Sequence, residues 1–169
     1  MSERNIQEIF DKEDIRQQIF NYSRSVDRID EELGKAVFHP DATLDYGAHI
    51  FQGSAWEFIV WCLEAHRGCV SHSHQMGNIS IWLDGSDTAR SETYGDVTVR
   101  FSKDGVLVDN FNLVRYLDKW EKREGTWRII ERKCVHDLES TTPVANTSFP
   151  ITGRRNKADA SYFPDTGQT

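Results

Sequence analysis

A histidine pair and one aspartate are the residues of this sequence whose types and spacing best suit proton transfer. His72 and His74 are separated by one serine, so on a β-strand both side chains point to the same face. Imidazole exchanges protons near neutral pH, and a carboxylate partner fixes its tautomer and raises its basicity. Asp27 belongs to a predicted helix, beside its apolar stripe, where an unpaired carboxylate is costly to bury. We therefore interpret Asp27 and one of these histidines as a candidate base with its orienting partner.

The same residues also have structural interpretations that the sequence leaves open. Asp27 could cap the helix or form a salt bridge near its end, with Arg24 or Arg28 as the cation. The two histidines could equally be partly buried or surface residues that make structural hydrogen bonds.

Tyr22 and the last predicted strand offer groups that could act on a leaving group. Tyr22 lies on the apolar stripe of the helix, so a core tyrosine is the default, but in a pocket its hydroxyl could protonate a leaving oxygen. In the segment WRIIERKCVHD, alternation places Arg132 and His136 on one face of a strand. If that face is turned inward, Arg132 supplies a permanent positive charge near the leaving group. If it is turned outward, the strand is a solvated, charge-rich surface.

Further residues are candidates for contacts with a ligand. His72 shares its strand face with His74, and Asp96, on a later strand, is a weaker polar candidate. Large aromatic side chains favour an aromatic or alicyclic ligand, because ligand pockets are mostly apolar, although core packing would use the same residues. These aromatic residues are Phe20, Trp56, Phe58 and Trp61.

Other classes of site have little support in the sequence. We predict no metal, because the paired ligand spacing of a zinc site is missing from Cys62, His66, Cys69, His72 and His74. The patterns GxGxxG, GxxxxGK[ST] and GxSxG are also absent, so nucleotide binding and α/β-hydrolase chemistry are not indicated.

A long first helix and a short second helix are predicted at the start of the chain. Asp11 or Asp14 is expected to cap the first helix, and the second covers residues 31–37 and ends at the following His-Pro-Asp segment. The spacing of the first helix's apolar stripe is helical throughout. The stripe consists of Ile15, Ile19, Tyr22, Val26 and Ile29.

A small hairpin and a third helix are predicted next. Residues 43–46 and 49–52 flank a glycine and form the hairpin. Ser54 and Glu57 form a capping-box signature that opens the third helix, and Gly68 closes it. The buried stripe of this helix is expected to be Trp56, Ile59, Val60 and Leu63.

After residue 68 the apolar pattern changes to a period of two, which predicts four strands. The separators DGSD, KDG and REG have turn chemistry and join consecutive strands, so the sheet should be antiparallel. Three helices followed by this meander predict an α+β fold with the helices on one face of a curved sheet. The strands are expected at residues 72–83, 89–101, 111–122 and 126–137.

Length, charge and cysteine usage limit the possible partners. The chain has 169 residues, which fits one domain, and its net charge of −7 argues against nucleic acid or an anionic membrane as partner. Its start lacks the apolar region of a signal peptide, and its longest strongly apolar run, residues 58–63, is far too short to span a bilayer. Three cysteines without a CxxC pair favour reduced thiols, so we expect a cytoplasmic protein.

The order and lengths of these elements resemble the nuclear transport factor 2-like fold and, within it, the SnoaL-like group. The resemblance covers residues 8–138 and implies a cone-shaped, curved antiparallel sheet with three N-terminal helices. That fold hosts enzymes, transport adaptors and assembly subunits, so specific residues must decide between these functions.

Short motifs make the resemblance more specific. Tyr22, five residues before Asp27, is similar to the site helix of SnoaL-like bile-acid 7α-dehydratase. Asp27 and His74, the latter within SHQMGN, resemble the Asp–His dyad of scytalone dehydratase and of hexachlorocyclohexane dehydrochlorinase. Arg132, which follows the GTW turn motif, matches an arginine of the dehydrochlorinase, and His136 matches a histidine of the bile-acid enzyme.

This resemblance implies a cofactor-independent lyase that acts on a small, hydrophobic, oxygenated molecule. His74 takes a proton from carbon, Asp27 orients it, and Arg132 stabilises negative charge. Tyr22 stands where the dehydrochlorinase has a lysine, which favours an oxygen leaving group over chloride. Two alternatives remain: an isomerase that uses the same dyad, and a non-catalytic binding protein or assembly subunit similar to the β subunit of ring-hydroxylating dioxygenases.

The polar end of the chain and the outer face of the sheet suggest assembly. We divide the chain into a cone domain, residues 1–139, and a tail, residues 140–169, that docks on a neighbouring subunit or over the cavity mouth, with a disordered tail as the alternative. Trp120 or Trp127 on the outer face would form an apolar patch, so we expect a homo-oligomer, a trimer or a dimer. The tail's apolar residues are Phe149, Ile151, Tyr162 and Phe163.

Overall fold

A computed structural model describes residues 3–145 and 147–163 of this protein. The described residues form three helices and one six-stranded sheet. The elements are α1 (Glu3–Arg28), α2 (Glu31–Ala36), β1 (Phe38–Asp45), β2 (Gln52–Ser54), α3 (Ala55–His66), β3 (Ser71–Leu83), β4 (Thr88–Lys103), β5 (Val106–Arg123) and β6 (Thr126–Pro143). The strand order is β2-β1-β6-β5-β4-β3, so the predicted α+β plan with a curved sheet is confirmed.

Four of the five residues of the predicted apolar stripe are buried on α1, and the fifth, Ile29, follows the end of the helix and is half-buried. Ile15, Ile19, Tyr22 and Val26 are each no more than 2% exposed. Burying a large apolar side chain contributes about 1.5–3 kcal/mol, so this stripe fixes the face that α1 turns to the sheet. Asp27 follows Val26 directly and therefore lies at the border of the buried face.

The start of α1 differs from the prediction. The helix already includes residues 3–10, so neither Asp11 nor Asp14 caps it. Asp11 is instead buried against the sheet, where it accepts hydrogen bonds from Lys122 Nζ at 2.7 Å and Trp127 Nε1 at 2.9 Å. Burial acts to raise the pKa of Asp11, but these hydrogen bonds outweigh it and lower the pKa.

The turn after α1 fixes the direction in which that helix ends. Ile29 has a left-handed φ of 54°, and Asp30 N donates to Ser25 O at 2.8 Å. Asp30 then caps α2, because its carboxylate accepts a hydrogen bond from Leu33 N at 3.1 Å. A left-handed conformation at a β-branched residue costs about 1–3 kcal/mol, so the packing of α1 and α2 must enforce this turn.

The buried stripe of α3 is wrong in two positions. Trp56 and Val60 are exposed, and Phe58 and Cys62 are buried in their place. Trp56 lies on the surface, where its Nε1 donates to the carbonyl of Lys35 at 3.2 Å. The full set of buried residues is Ala55, Phe58, Ile59, Cys62 and Leu63.

The four long strands form the predicted meander. β3, β4, β5 and β6 pair antiparallel in sequence order. The turns Asp104-Gly105 and Glu124-Gly125 have positive φ at both residues. Two-residue hairpin turns of this type match the right-handed twist of the strands, which is why the KDG and REG segments mark them correctly.

One pair of strands departs from the antiparallel prediction. β1 runs parallel to β6, with Leu44 beside Arg132, and β2 pairs antiparallel with β1. β1 enters the sheet from the helices α1 and α2 and not through a hairpin, so turn chemistry does not determine its direction. The predicted hairpin around Gly47 is present, but its second strand is residues 52–54 and not 49–52.

β6 changes its buried face at a β-bulge. The register of the β5–β6 ladder shifts there and leaves Ile130 as an extra residue. Trp127 and Ile129 are buried before the bulge, and Arg132 and Cys134 are buried after it. Strict alternation would place Trp127 and Ile129 on the face opposite to Arg132 and Cys134. Because both pairs are buried, a prediction by alternation along the whole strand is wrong on one side of the bulge.

The outer face of the sheet carries ion pairs at its centre. Arg115 binds Glu92 at 2.9 Å and Asp137 at 2.7 Å. Trp120 and Trp127 are in the core, so the expected outer patch around them is wrong. The homo-oligomer and the cytoplasmic location stay predictions. None of the helices in the described part of the chain has the length and apolar character needed to cross a membrane.

The described part of the tail lies on the protein's own helices. β6 extends to Pro143, so residues 140–143 belong to the sheet and not to the tail. Tyr162 Oη donates to Asp30 Oδ2 at 2.9 Å, and Arg155 binds carbonyls at the end of α3. Docking on a neighbouring subunit stays a prediction, and residues 164–169 lie outside the described part of the chain.

A buried ion pair between β5 and β6 predicts different costs for two neighbouring substitutions. Arg132 donates to both carboxylate oxygens of Asp118, at 2.7 and 2.9 Å, and both side chains are fully buried. Asp118→Asn leaves the guanidinium without its counter-charge and should lower the free energy of unfolding by about 3–5 kcal/mol. Glu131→Gln removes the exposed contact with Lys119 and should cost less than about 1 kcal/mol. Urea unfolding of both variants measures this difference, and equal losses would contradict it.

Candidate active site

A cavity of about 230 Å³ lies between α1, α3 and the concave face of the sheet. It is larger than the cavity of about 150 Å³ that holds benzene in an engineered core. Apolar and aromatic side chains form most of its wall, which is typical of small-molecule sites. Its polar lining residues are Tyr22, Tyr46, His66, His72, His74, Asn110, Asn112, Tyr116 and His136.

Asp27 and His74 form a hydrogen-bonded pair beside this cavity. His74 Nδ1 is 2.9 Å from Asp27 Oδ1, and the side chains are 6% and 15% exposed. Because a carboxylate accepts at Nδ1, that nitrogen carries the proton and Nε2 has the free lone pair. His74 itself lines the cavity, so the pair has the arrangement of a general base with its orienting carboxylate.

The local fold explains why Asp27 and His74 meet. β3 is an edge strand, and the backbone N–H of His74 donates to both oxygens of Asp27 at 3.1 Å. α1 packs along this edge, which removes unpaired backbone groups from solvent. The carboxylate of Asp27 therefore binds both the main chain and the imidazole of His74.

A pair of tyrosine hydroxyls lies on the same cavity. Tyr22 Oη and Tyr46 Oη are 2.9 Å apart, and the ring of Tyr22 is 6.1 Å from the ring of His74. Burial raises the pKa of both hydroxyls, so they remain protonated and can donate hydrogen bonds. Tyr46 is stacked on Phe58 with ring centroids 4.4 Å apart, which holds it in place.

Arg132 lies behind the tyrosines and does not reach the cavity. Its guanidinium carbon is 4.2 Å from the ring centroid of Tyr22 and 4.5 Å from that of Tyr116. Burial acts to lower the pKa of Arg132, but the charge of Asp118 outweighs it, so the residue stays a cation. The expectation that Arg132 points into the cavity is wrong, because Asp118 and two aromatic rings enclose it.

Two further histidine rings, those of His72 and His66, lie in a row with His74 of the dyad. The ring of His72 lies 4.5 Å from both His66 and His74, measured between centroids. His72 is 5% exposed, and neither of its ring nitrogens has a hydrogen-bond partner among the described residues. Burial, followed by the neighbouring histidines and Arg155, lowers its pKa, so the ring stays neutral. His72 therefore offers a free donor and a free acceptor at the cavity wall.

Asp27, His72 and His74 could also be considered as metal ligands. Each offers one ligand atom, and these atoms lie within 4.8 Å of one another. Two imidazoles and a carboxylate suit several transition metals. However, the Asp27 carboxylate already accepts three hydrogen bonds from His74, so a metal ion bound through His74 Nδ1 would have to displace the proton of that nitrogen. The hydrogen bonding fits proton transfer better.

Two other predicted ligand contacts also lie at the cavity. His136 and Trp61 line it, and both are exposed to solvent, which places them towards its opening. His136 lies after the bulge of β6, where the buried face matches the predicted one.

Three predicted ligand contacts are wrong. Asp96 is exposed on the outer face of β4, because its neighbour Val97 points into the cavity. Phe20 is exposed on the side of α1 away from the cavity, and Trp56 lies on the outer surface of α3. The predictions for Phe20 and Trp56 rested on their aromatic character, which does not determine the direction of a side chain.

Sequence reasoning missed Tyr46, Asn110 and Asn112. The two asparagines are cross-strand partners of Val99 and Val97, and the four residues together form one wall of the cavity. The predicted strand began at residue 111, whereas β5 begins at Val106, so the prediction left Asn110 outside the strand. Asn112 lay within the predicted strand, where alternation alone could have identified it. Tyr46 had a weaker signal, since a tyrosine next to a turn has many explanations.

Comparison with known proteins agrees with this architecture. A family model described as a SnoaL-like domain matches residues 7–133. The chain belongs to the SnoaL-like family. An uncharacterized protein of Mycobacterium tuberculosis is 30% identical over 138 residues, which cover 79% of this SnoaL-like chain and 92% of that relative. A protein of Mycobacterium bovis matches to the same extent.

Solved structures share the fold of this SnoaL-like protein. A hexachlorocyclohexane dehydrochlorinase superimposes with a TM-score of 0.73 at 14% identity, over 88% of this chain and 99% of that one. A scytalone dehydratase-like protein of Novosphingobium aromaticivorans gives 0.71 at 21% identity, over 89% and 98%. A protein of unknown function from Mycobacterium tuberculosis gives 0.67 at 22% identity, over 95% and 86%. At these identities the likeness concerns the fold.

The buried, neutral His72 predicts that this SnoaL-like protein loses stability in mild acid. The unfolded chain binds a proton at this residue below about pH 6.5, whereas the folded chain does not, so the free energy of unfolding falls as the pH is lowered by up to about 1.4 kcal/mol per pH unit. His72→Phe should reduce this slope, and His49→Gln, in an exposed loop, should leave it unchanged. Urea unfolding between pH 5 and 8 measures it, and equal slopes in all three proteins would contradict the prediction.

Proposed function

We propose that this protein is a cofactor-independent lyase that catalyses a dehydratase-type β-elimination. The substrate is a small, hydrophobic, aromatic or alicyclic molecule with a β-hydroxyl group. The observation that carries this proposal is the 2.9 Å contact between His74 Nδ1 and Asp27 at a cavity that also holds two protonated tyrosines. Base and proton donor are both available on one cavity, which is what an elimination requires.

In the proposed reaction His74 Nε2 removes a proton from the carbon next to a carbonyl group. Asp27 keeps the imidazole in the required tautomer and stabilises the imidazolium that forms. The electron pair of the broken C–H bond forms the new double bond while the β-hydroxyl leaves. Tyr22, bound to Tyr46, donates a proton to this oxygen, so the second product is water. The proton on His74 then returns to the tyrosine pair and restores the starting state.

Arg132 contributes to this step through Tyr22. Its charge lies 4.2 Å from the Tyr22 ring and is held there by Asp118. As Tyr22 gives up its proton, negative charge develops on the phenol, and the nearby guanidinium stabilises it. Arg132 is thus a positioning and electrostatic residue without a contact to the substrate.

The cavity wall supports a neutral, oxygenated ligand. His72, Asn110 and Asn112 offer neutral hydrogen-bonding groups, while no cationic side chain of the described residues lines the cavity to bind a carboxylate. His136 and Trp61 contact the part of the ligand near the opening. A volume of about 230 Å³ suits a substituted ring or a compact bicyclic molecule.

An isomerase is the second candidate, because the same pair could move a proton within one molecule. The presence of both a base and a hydroxyl pair is compatible with either reaction. A binding protein or an assembly subunit needs neither an Asp–His pair nor an open cavity, so both features favour an enzyme over these functions.

Substitution of the dyad should abolish most of the turnover. We expect His74→Gln to lower kcat by about 10²–10⁴-fold, because the general base is lost. Asp27→Asn should lower it by a similar factor, because an amide permits the wrong tautomer of His74. His49→Gln, in an exposed loop, serves as the control with unchanged kcat.

The measurement begins with a thermal-shift screen of phenolic, steroidal and polyketide-like β-hydroxy ketones. Turnover of the compounds that bind is followed by absorbance of the conjugated product, and mass spectrometry decides between the candidates. Loss of one water identifies an elimination, and a product of unchanged mass identifies an isomerase. Wild-type rates in both dyad variants would refute the proposed base.

Cofactor independence has its own test. If His74 acts as a base and not as a metal ligand, extensive dialysis against a chelator should leave kcat unchanged within about twofold, because the hydrogen bond to Asp27 supplies all that the imidazole needs. Loss of activity that returns with one added divalent metal would contradict this prediction and point to the ligand set Asp27, His72 and His74.

A further inference from the structure

A segment of the tail, residues 154–162, runs over the end of α1 that carries Asp27. We name it the C-terminal strap. Arg24, one turn before Asp27, places its guanidinium carbon 4.7 Å from the centroid of the Tyr162 ring. Tyr162 Oη donates to Asp30 Oδ2 at 2.9 Å, three residues after Asp27. The strap therefore contacts the chain on both sides of the carboxylate that orients His74.

The strap has a folded centre at Asp159. This carboxylate is buried and accepts hydrogen bonds from the backbone N–H groups of Arg154 at 2.7 Å and Ser161 at 3.0 Å. It also lies 3.5 Å from Arg28 Nε, the residue next to Asp27. The hydroxyl of Ser161, which donates to this carboxylate at 2.6 Å, and the two backbone N–H groups lower the pKa of Asp159, so the strap keeps a negative charge against the end of α1.

Arg155 connects the strap to the other side of the active site. Its Nη1 donates to the carbonyl oxygens of His66 at 2.5 Å and Cys69 at 3.2 Å. These carbonyls end α3 and precede β3, the strand that carries His74. The Nε and Nη2 atoms of Arg155 are buried without a partner among the described residues.

We propose that the C-terminal strap holds α1 and the start of β3 together, and that Arg155 is a positioning residue for the Asp27–His74 pair. The strap binds α1 through Arg24 and Arg28 and the turn that follows α1 through Asp30. Arg155 binds the segment that leads into β3. The Asp27–His74 hydrogen bonds join the same two elements, so the strap and the dyad close one ring of contacts.

The charge of Arg155 adds an electrostatic contribution to this role. Burial lowers the pKa of Arg155, and attraction to the Asp27 carboxylate opposes that effect. The same charge contributes to the lowered pKa values of His66 and His72. Burial is the main reason that His66 and His72 stay neutral, and the charge of Arg155 adds to this effect while it attracts the carboxylate of Asp27.

The amide hydrogen exchange of His74 tests this proposal without a substrate, because that N–H donates to Asp27. In Arg155→Ala we expect its exchange to become about ten- to hundredfold faster, since local opening of the dyad costs less free energy. The low-field NMR signal of the His74 Nδ1 proton should broaden in parallel. Arg155→Lys, which keeps the charge and one donor, should restore part of the protection.

A matched control and a milder variant keep the test decisive. Lys157 lies on the same strap and makes an exposed contact with Glu32 of α2. Lys157→Ala removes this contact and should leave the exchange rate of the His74 amide unchanged. Tyr162→Phe removes one hydrogen bond and should accelerate exchange by a few-fold even if Arg155→Ala does not fold. The reference is the core amide of Ile129, which donates to Val37.

The proposal is overturned if the His74 amide exchanges no faster than wild type, relative to Ile129, in Tyr162→Phe and in Arg155→Ala. A lower melting temperature with unchanged relative exchange is a merely structural effect and also overturns it. Arg155→Ala should also lower kcat at nearly constant KM, and this expectation rests on the proposed elimination. The exchange result does not, so a protein without elimination activity still tests the strap.

Discussion

The backbone N–H of His74 lies on the free edge of the sheet, where it requires an acceptor that no neighbouring strand can supply. Asp27 provides that acceptor, and the same carboxylate binds the imidazole of His74. The position of α1 is therefore fixed by three hydrogen bonds to one residue as well as by its apolar stripe. Pairing of the edge and orientation of the His74 imidazole depend on the same contact, so the geometry of the Asp27–His74 pair is part of the fold.

The groups around the cavity are kept neutral by burial. Burial raises the pKa of Cys62 and of Cys134 to about 12 and keeps the tyrosine hydroxyls protonated. The fully buried cation, Arg132, is compensated by Asp118 behind the tyrosine rings. Asp27 therefore supplies the charge that contacts the His74 imidazole directly, and in a low-dielectric surrounding this interaction is stronger than it would be in water.

Periodicity and turn chemistry predicted the elements of this fold because both depend on residues that are close together in the sequence. The stripe of α1 and the KDG and REG turns are of this kind. The bulge at Ile130, the parallel direction of β1 and the contact of Tyr46 with Tyr22 depend on segments far apart in sequence. The dyad was predictable because a helix carboxylate and a strand histidine matched a family pattern, whereas the enclosure of Arg132 followed from packing that the sequence does not display.

The cavity wall built from β4 and β5 has a consequence for how such a protein can acquire new ligands. Its cross-strand pairs, Val97 with Asn112 and Val99 with Asn110, belong to a regular ladder whose backbone bonds do not depend on side-chain identity. The dyad lies on other elements, α1 and β3. Exchanges at these four positions can therefore alter which molecule is accepted while the Asp27–His74 pair is left unchanged, so under the proposed function recognition and reactivity can evolve independently.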